Sequence, residues 1–315
     1  MKILYIVADI ETRHATSLLM AKSHFDAPLY VVIMKTIACD MITFPNAKIN
    51  LGLNIVARRP DGYHDIETVF YPIGLTDVLE VVPSRDGVTR LHTLGNKVDC
   101  EPEKNLVMKA YRLMEQHLPS GLPAAEIYLY KHIPDGAGLG GGSADASFML
   151  KMIDEMSGAG LAEDELAALA SQLGADCAFF VHNTPMYATG IGNRFSPVTV
   201  DLSGYVLLLV KPPVSVSTAA AYAKVKPHAS DQYIPEVLQH PVEEWRDVLK
   251  NDFEPSVFAQ FPQLAAIKQS IYDSGALYAS MSGSGSSLFG IYDNDILAEN
   301  ASHEIAGGIN FVMKL

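Results

Sequence analysis

Cysteine is scarce in this sequence, and its few cysteines form no motif. There are three of them, Cys39, Cys100 and Cys177, an odd number with no CxxC pair. This pattern argues against a disulfide framework and against a zinc site. Free thiols are typical of proteins kept in a reducing compartment. We therefore expect a cytoplasmic protein with unpaired cysteines.

Long apolar runs are also lacking. No segment approaches the roughly 20 apolar residues that span a bilayer. The chain opens with a short apolar stretch, but Asp9, Glu11 and Arg13 interrupt it before it reaches the length of a signal-peptide core. The sequence therefore predicts no membrane association.

Positive charge is in deficit. Lysine and arginine number 23 against 36 aspartates and glutamates, which gives a net charge of −13. Such a surface repels polyanions, so nucleic acid is excluded as the expected partner. A phosphorylated small molecule stays compatible if the chain builds a positive field locally. With 49% hydrophobic and 19% charged residues over 315 positions, the chain is globular and long enough to bury a large core.

Hydrophobic periodicity predicts a mixed α+β fold. Alternating segments predict strands, and apolar residues at helical spacing predict helices. The predicted strands are Lys48–Val56, Asp77–Pro83, Glu126–His132 and Tyr205–Val210, with others near 276–281 and 287–292 and two early candidates at Ile3–Ala8 and Leu29–Ile33. The predicted helices are Asn105–His117, Ser143–Met156 and Glu163–Leu173, with others around 217–226, 242–250 and 262–273.

A glycine-rich segment, PDGAGLGGGS, runs from Pro134 to Ser143 between a predicted strand and a predicted helix. Glycines permit positive φ and close backbone approach, and the following helix presents unpaired N–H groups at its positive end. Together these features suit a triphosphate. Ser143 would be the helix N-cap, and its hydroxyl would cap the helix or reach a phosphate or Mg²⁺. The predicted ATP contacts here are Pro134, Gly136, Gly138, Gly140, Gly141, Gly142 and Ser143.

Two other phosphate-binding motifs fit this segment poorly. Gly136, Gly138 and Gly141 satisfy G-x-G-x-x-G, but a dinucleotide fold needs a second parallel strand and an acidic residue roughly 20 positions on. The acidic residues at 163–165 begin a helix instead. A Walker A loop needs Gly-Lys-Ser/Thr, whereas Gly142 precedes Ser143 here. A kinase built on this loop would therefore take its cation from elsewhere in the chain.

Two segments supply a candidate catalytic pair. Lys48 is the one lysine on an otherwise apolar strand, and Asp176 stands between a helix stop and an apolar run. A carboxylate in that setting is either buried and paired or functional. Phosphoryl transfer to an alcohol needs an acceptor for the hydroxyl proton and a charge that offsets the developing negative oxygens. We expect Lys48 and Asp176 to be neighbours, and a separation above about 8 Å would contradict this.

Three motifs together carry a family resemblance. PNAKINLGLNIV around Lys48, PDGAGLGGGSADAS in the glycine-rich segment and MSGSGSSLF near the C-terminus resemble the three motifs of the GHMP kinase superfamily. The resemblance covers the chain from about Met41 to its end. There are departures: Cys-Ala follows Asp176 where many relatives have Val-Pro, and Ser284 and Ser286 stand where Thr and Ala are common. Each of these changes replaces one small residue by another, so the reaction class is unaffected.

The resemblance implies roles for particular residues. Lys48 and Asp176 match the catalytic pair, and Asn50 matches a polar residue of the alcohol pocket. Asn105 and Lys131 match positions near the adenine. RPDGYH at 59–64 and LGAD at 173–176 are similar to superfamily members that act on a cytidine-diphosphate-linked methylerythritol. The base-reading residues implied by that similarity are Tyr63, His64 and Tyr222, with Thr218 also lining the substrate pocket, so that the base could lie between two aromatic rings.

The function implied by the resemblance is ATP-dependent phosphorylation of the 2-hydroxyl of that substrate, in the non-mevalonate route to isoprenoid precursors, with Mg²⁺. The partners implied are small molecules, and the chain would be a monomer or a homodimer. Two alternatives stay open. One is a kinase for another small alcohol, such as homoserine or mevalonate, and the other is a catalytically silent nucleotide-binding relative.

The resemblance also implies a two-lobed organisation. An N-terminal ATP-binding lobe would span residues 41–200, and a C-terminal ferredoxin-like α/β sandwich lobe would span residues 201–315. The PxAKxNLxL motif lies almost at the start of the chain in the family. Residues 1–40 are therefore an extension of doubtful status, either an extra element or the product of an upstream start codon, and we favour a functional chain that begins at Met41.

Overall fold

The computed structural model describes residues 41–98, 100–118, 121–230 and 232–315. Within these ranges the chain forms three four-stranded sheets. The strands predicted at Ile3–Ala8 and Leu29–Ile33 lie outside the described residues. The other predicted elements all fall inside them.

The first two sheets belong to the N-terminal part of the chain. One has the order β1-β4-β6-β5, and only its β5–β6 pair is parallel. The other has the order β2-β3-β7-β8 and is antiparallel. Their strands are β1 (Met41–Thr43), β2 (Asn46–Arg58), β3 (His64–Thr76), β4 (Val78–Pro83), β5 (Arg90–Gly95), β6 (Ala125–Lys131), β7 (Met186–Thr189) and β8 (Arg194–Pro197).

Four helices lie between these strands along the chain: α1 (Leu106–His117) between β5 and β6, and α2 (Gly141–Ser157), α3 (Glu163–Leu173) and α4 (Cys177–His182) between β6 and β7. The buried faces of β4 and β6 form one core with α1 and α2, in which Leu79, Ile127, Tyr111 and Met149 are almost fully buried. Burial of each such side chain stabilises the fold by about 1.5–3 kcal/mol. This core fixes the direction of α2 and hence the position of its N-terminus.

The C-terminal part forms one antiparallel sheet with the order β10-β11-β9-β12. Its strands are β9 (Val206–Lys211), β10 (Tyr278–Met281), β11 (Leu288–Tyr292) and β12 (Ile309–Lys314). The helices are α5 (Thr218–Tyr222), α6 (Ile234–Val237), α7 (Glu254–Gln260), α8 (Pro262–Asp273) and α9 (Asp295–Glu304). Numbered within this part, the sheet order is 2-3-1-4, with helices between its first and second and its third and fourth strands. This confirms the predicted ferredoxin-like topology.

A second hydrophobic core joins the two parts. It contains Ile49 and Leu51 of β2, Leu207 of β9, Phe289 of β11 and the buried Trp245. Residues 41–315 accordingly pack as one unit. The chain passes from the N-terminal sheets to the C-terminal sheet between β8 and β9, close to residue 200, where the sequence predicts a lobe boundary. The exact division into domains stays a prediction.

The sequence identifies some elements correctly and misses others. The helix Glu163–Leu173 has its predicted bounds, with Gly174 at its C-terminal end. The long strand β3 is not predicted, because Pro72 and several polar residues break its pattern. Pro72 lies opposite Lys48 beside a shift in the β2–β3 register, where a proline is tolerated in a strand.

The helices expected around 217–226 and 242–250 are shorter than predicted. The first is the five-residue α5, and the second is a 3-10 turn at Val242–Glu244. In the second case Trp245 packs edge-on against Tyr278 and donates its indole N–H to the His240 carbonyl. Helix propensity is a weak preference that such tertiary contacts override.

In the part of the chain that the structure describes, every helix is too short or too polar to cross a membrane.

Candidate active site

The glycine-rich segment forms a loop between β6 and α2. Gly136, Gly138 and Gly140 adopt positive φ angles of 59°, 77° and 73°. Gly140 is the N-cap of α2 and offers no side chain to its first N–H groups. The prediction that Ser143 is the N-cap is wrong. The helix begins two residues earlier at Gly141, because glycine at 140 reaches the left-handed conformation without strain, and Ser143 lies inside the first turn.

Close packing holds this loop in place. A Cβ atom on Gly138 would lie 2.1 Å from the Ser282 carbonyl oxygen, and one on Gly140 would lie 2.8 Å from Cζ of Phe180. The loop is therefore fixed between α4 and the second glycine-rich segment, Ser282–Ser287.

The start of α2 fits an anion. Gly142, in its first turn, is exposed, and a Cβ atom there would meet nothing closer than Leu106 at 3.9 Å. The N–H groups of a first helical turn have no intrahelical partner and carry partial positive charge. With a glycine N-cap and open space beside Gly142, these groups can donate to phosphate oxygens. The residues present thus fit the triphosphate of ATP.

Lys48 and Asp176 lie side by side, as the sequence predicts. The Lys48 Nζ is 3.8 Å from Oδ2 of Asp176, well inside the predicted limit. Lys48 lies on β2 with its side chain almost fully buried, whereas Asp176, the N-cap of α4, is 35% exposed. Burial lowers the pKa of Lys48, and the Asp176 carboxylate partly opposes this shift. The pair thus combines a buried cation with an accessible proton acceptor.

Lys48 is also bonded to the glycine-rich loop at 134–143, which is called the phosphate loop below for its expected role. Its Nζ donates to the Gly138 carbonyl at 3.1 Å, and its backbone N–H donates to the Leu139 carbonyl at 3.0 Å. The Gly138 carbonyl accepts a second hydrogen bond, at 2.8 Å, from the Ser282 hydroxyl. β2, the phosphate loop and the second glycine-rich segment therefore meet at one carbonyl group. Lys48 thereby supplies the cation that the loop itself lacks.

Asn50 lies beside Lys48. Its Oδ1 accepts a hydrogen bond from Lys48 Nζ at 2.7 Å, and its Nδ2 donates to the Thr68 hydroxyl at 3.0 Å. The residue is 2% exposed. The substrate contact expected of Asn50 stays a prediction, since its side-chain amide is already bonded on both sides to protein groups.

The two residues expected near the adenine lie beneath or beside the start of α2. The Lys131 ammonium is buried between the carboxylates of Asp77 and Asp145, with 2.7 Å to the latter. Asn105 caps α1 by accepting the Val107 N–H. Lys131 and Asn105 are therefore both bonded to protein groups close to the loop. A direct contact of either with the adenine stays a prediction.

The buried charges beneath the loop are not balanced. Two carboxylates face one ammonium, and Oδ1 of Asp145 has no hydrogen-bond partner. Burial raises the pKa of Asp145 to about 7, although Lys131 opposes the shift. Asp77 accepts the backbone N–H groups of His132 and Ile133, where the chain enters the loop. The cluster thus connects the start of the loop to α2.

The residues expected to read the base, Tyr63, His64 and Tyr222, line a cavity of about 710 Å³. Tyr63 is 62% exposed at its edge. The His64 ring stacks on Tyr222 with 4.7 Å between centroids and 17° between planes, and Phe253 contacts the Tyr222 ring edge-on. His64 therefore covers one ring face of Tyr222. A base that stacks on Tyr222 has to use the face that His64 does not cover.

This cavity adjoins the Lys48–Asp176 pair. Burial raises the pKa of Tyr222 to about 12, and the nearby Asp176 carboxylate adds to the shift. Thr218 also lines the cavity and lies 3.3 Å from the Ser284 hydroxyl in the second glycine-rich segment. The cavity, Asp176, Lys48 and the phosphate loop are thus consecutive neighbours.

A metal would have few protein ligands here. The described ranges contain no group of three or more His, Cys, Asp and Glu residues able to hold one. Mg²⁺ in phosphotransferases is commonly held by one or two protein groups together with phosphate oxygens, so the site fits a phosphate-bound ion. Ser143, the predicted ligand, is partly buried in the first turn of α2, and its contact with Mg²⁺ stays a prediction.

Several supporting residues are not predicted from the sequence. Thr68, Asp77 and Asp145 are almost fully buried and bonded to predicted site residues. Each is a polar residue within or next to an apolar segment, which is the signal that could have identified it.

Comparison with known proteins matches both parts of the chain to one class. The model for the GHMP kinase N-terminal domain matches residues 105–184, and the model for the GHMP kinase C-terminal domain matches residues 233–308. Solved structures of a mevalonate kinase and of a homoserine kinase from Cytophaga hutchinsonii share the fold. Their TM-scores are 0.65 and 0.58 at 15% and 18% identity, they cover 87% and 86% of this chain, and the chain covers 98% and 95% of theirs. Fold and site together define a GHMP kinase.

Nearer relatives narrow the assignment. A Bacteroides fragilis protein named 4-diphosphocytidyl-2-C-methyl-D-erythritol kinase is 57% identical over 254 residues, which is 80% of this chain and 92% of that protein. A protein of the same name from Parabacteroides distasonis is 53% identical with the same coverage. A crystal structure of 4-(cytidine 5'-diphospho)-2C-methyl-D-erythritol kinase is 32% identical with a TM-score of 0.75, over 86% of this chain and 98% of its own. The chain belongs to the 4-diphosphocytidyl-2-C-methyl-D-erythritol kinase family.

Proposed function

We propose that this protein transfers the γ-phosphate of ATP to the 2-hydroxyl of 4-diphosphocytidyl-2-C-methyl-D-erythritol, a step in the non-mevalonate route to isoprenoid precursors. The observation that carries the proposal is the place of the Lys48–Asp176 pair. It lies between a loop that fits a triphosphate and an aromatic-lined cavity that suits a nucleobase. A kinase for a cytidine-linked alcohol needs these three parts in this order.

The residues divide the chemistry among them. Asp176 accepts the proton of the substrate hydroxyl while the hydroxyl oxygen forms its bond to the γ-phosphorus and the bond from that phosphorus to the β–γ bridging oxygen breaks. Lys48 offsets negative charge on the transferring group and holds Asp176 ionised. The N–H groups at the start of α2 and the exposed backbone around Gly142 bind the phosphates that leave as ADP.

Mg²⁺ would supply charge neutralisation at the β- and γ-phosphates, with the Ser143 hydroxyl as the candidate protein ligand. Binding of the substrate's base is the task of side chains of this protein. Tyr63, His64 and Tyr222 bind the cytosine by stacking and hydrogen bonding, and Thr218 lines the same cavity beside Ser284. Stacking alone tolerates any base, so discrimination among bases falls to the hydrogen bonds.

The test is a substrate panel. Purified protein is incubated with Mg-ATP and 4-diphosphocytidyl-2-C-methyl-D-erythritol, and ADP and the phosphorylated product are followed by mass. Homoserine, mevalonate and the methylerythritol phosphate without its cytidine run in parallel. We expect turnover with the cytidine substrate alone. Equal turnover with homoserine or mevalonate would overturn the proposal, and so would ATP binding without any turnover.

Other small alcohols fit the cavity less well. Neither homoserine nor mevalonate has a ring for Tyr63 and Tyr222 to stack on. A catalytically silent relative would have no need for the Lys48–Asp176 pair. A cytoplasmic location and the lack of nucleic-acid partners remain predictions from the composition of the chain, and a monomeric or homodimeric state remains a prediction from the family resemblance.

A further inference from the structure

A series of hydrogen bonds connects Thr68 on β3 through Asn50 to Lys48. The Thr68 hydroxyl on β3 bonds to the Gly52 carbonyl at 2.5 Å and to Nδ2 of Asn50 at 3.0 Å. Oδ1 of Asn50 bonds in turn to Nζ of Lys48 at 2.7 Å. Thr68, Asn50 and Lys48 are 0%, 2% and 3% exposed, so water has no ready access to replace a missing partner.

The donor-to-acceptor direction of these hydrogen bonds is fixed at both ends of the series. A carbonyl oxygen only accepts hydrogen bonds and an ammonium only donates them. The single hydroxyl proton of Thr68 therefore goes to Gly52, which leaves the hydroxyl oxygen to accept from Asn50. The NH₂ group of Asn50 must then face Thr68, and its oxygen must face Lys48. With the hydroxyl removed, the amide is held in this orientation from the Lys48 end alone, and its buried NH₂ group has no acceptor.

The orientation of Asn50 determines where the lysine points. Lys48 has three protons, of which one goes to Asn50 and one to the Gly138 carbonyl at 3.1 Å. The third is free to point towards Asp176, whose Oδ2 lies 3.8 Å away. If Asn50 turned its NH₂ group towards the ammonium, two donors would oppose each other in a buried site, and the lysine would lose this arrangement.

We propose that Thr68 is a positioning residue for phosphoryl transfer, which acts by fixing the orientation of Asn50 and through it the direction of the Lys48 ammonium. It contacts neither Lys48 nor Asp176 in any hydrogen bond of the described residues. The role of Lys48 in this proposal rests on the proposed function above. The orientation of the amide and of the ammonium can be tested apart from it.

The kinetic test uses a matched pair of variants. Thr68→Val keeps the shape of the side chain and removes the hydroxyl, whereas Thr68→Ser keeps the hydroxyl and removes a methyl group. For Thr68→Val we expect kcat to fall about 10- to 100-fold, with KM for ATP and for the cytidine substrate within about threefold of wild type, since the binding surfaces are unchanged. Thr68→Ser should keep kcat within about threefold.

A double substitution separates positioning from general damage. If Thr68 acts through Lys48, adding Thr68→Val to Lys48→Met should lower kcat no further than Lys48→Met alone. If the two substitutions instead lower kcat by factors that multiply in the double variant, Thr68 acts independently of Lys48 and the proposal is wrong. Thr68→Ala serves as the second hydroxyl-free variant if Thr68→Val does not fold, and it should show the same loss of kcat.

A measurement on the protein without substrate tests the role of Thr68 separately from the proposed function. The titration of Lys48 is followed by the ¹³Cε shift in lysine-labelled protein and assigned with Lys48→Met. An Asn50 oxygen that is less firmly held stabilises the charged amine less, so Thr68→Val should move the titration midpoint of Lys48 to lower pH, and Thr68→Ser should not. Among the described residues, the charged group that faces Lys48 is Asp176. An unchanged midpoint in Thr68→Val overturns the positioning role, whether or not the enzyme turns over its substrate.

Discussion

The phosphate loop and the aromatic cavity differ in how they are held. The loop is fixed through its backbone, since Gly138 touches Ser282 and the Gly138 carbonyl accepts two hydrogen bonds. The cavity is lined by side chains that vary from the 62% exposed Tyr63 to the half-buried, stacked pair of His64 and Tyr222. We therefore expect phosphate binding to depend on main-chain geometry and base recognition to depend on side-chain identity.

This difference has a physical reason. The triphosphate and its transfer are common to the whole class, and backbone N–H groups at a helix start bind any phosphate alike. The alcohol and its attached group differ between class members, and a surface cavity can change its side chains without disturbing the core. Substitutions in the two regions should accordingly separate into losses of kcat or folding and losses of substrate affinity.

The largest effect is expected at the catalytic pair. Asp176→Asn removes the proton acceptor and keeps its shape, so kcat should fall about 100- to 10,000-fold while KM for both substrates changes little. Steady-state kinetics measures this. A fall of less than tenfold would show that Asp176 only positions the hydroxyl, as a loose transition state permits.

The second-largest effect is expected at the close contact between the two glycine-rich segments. Gly138→Ala places a Cβ atom 2.1 Å from the Ser282 oxygen at a positive φ, so unfolding free energy should fall by about 2–5 kcal/mol. Gly136→Ala is the matched control, since it has a similar φ with no atom closer than 3.9 Å and should lose only about 1–2 kcal/mol. Urea unfolding compares them, and equal losses would contradict the role assigned to packing.

A smaller effect is expected in the cavity. Tyr63→Ala removes an exposed ring that is available for stacking, which should raise KM for the cytidine substrate about 10- to 100-fold. KM for ATP and the melting temperature should stay at wild-type values, because the side chain is 62% exposed. If KM for ATP rose equally, the two regions would not be separable in the way described above.

The smallest effect concerns pH and the buried cluster beneath the loop. Burial raises the pKa of Asp145 to about 7 from 3.8, so the folded chain retains a proton that the unfolded chain releases between these values. The wild type should therefore lose stability as pH rises through this window, by about 1 kcal/mol or more. Asp77 and Lys131 are the charged groups that face Asp145.

Urea unfolding at several pH values between 5 and 8 measures this slope. Asp145→Asn has no proton to release and should show a flatter dependence than the wild type. Asp164→Asn, in the exposed first turn of α3, is the control and should keep the wild-type slope. An unchanged slope in Asp145→Asn would mean that Asp145 is already ionised at pH 5.

Much of the site can be predicted from the sequence because its signals are local. The glycine spacing at 136–142 is typical of a phosphate-binding loop, and Lys48 stands out on an apolar strand. The start of α2 is harder to place, because the sequence does not reveal that Gly140 takes a positive φ and so lets Gly141 open the helix. Lys131 matches a position near the adenine, but its charge lies between two buried carboxylates that the sequence places far from it.

The sequence by itself determined the class of the protein, the glycine-rich loop and the candidate pair Lys48 and Asp176, because each is indicated by residue types at a fixed local spacing. The aromatic residues of the cavity were indicated by the family resemblance. Only the tertiary structure decided that Thr68 lies behind Asn50, that His64 covers one face of Tyr222, and that Asp77 and Asp145 share Lys131. These contacts join residues from separate strands and helices, so they exist only after the hydrophobic cores have set the positions of those elements.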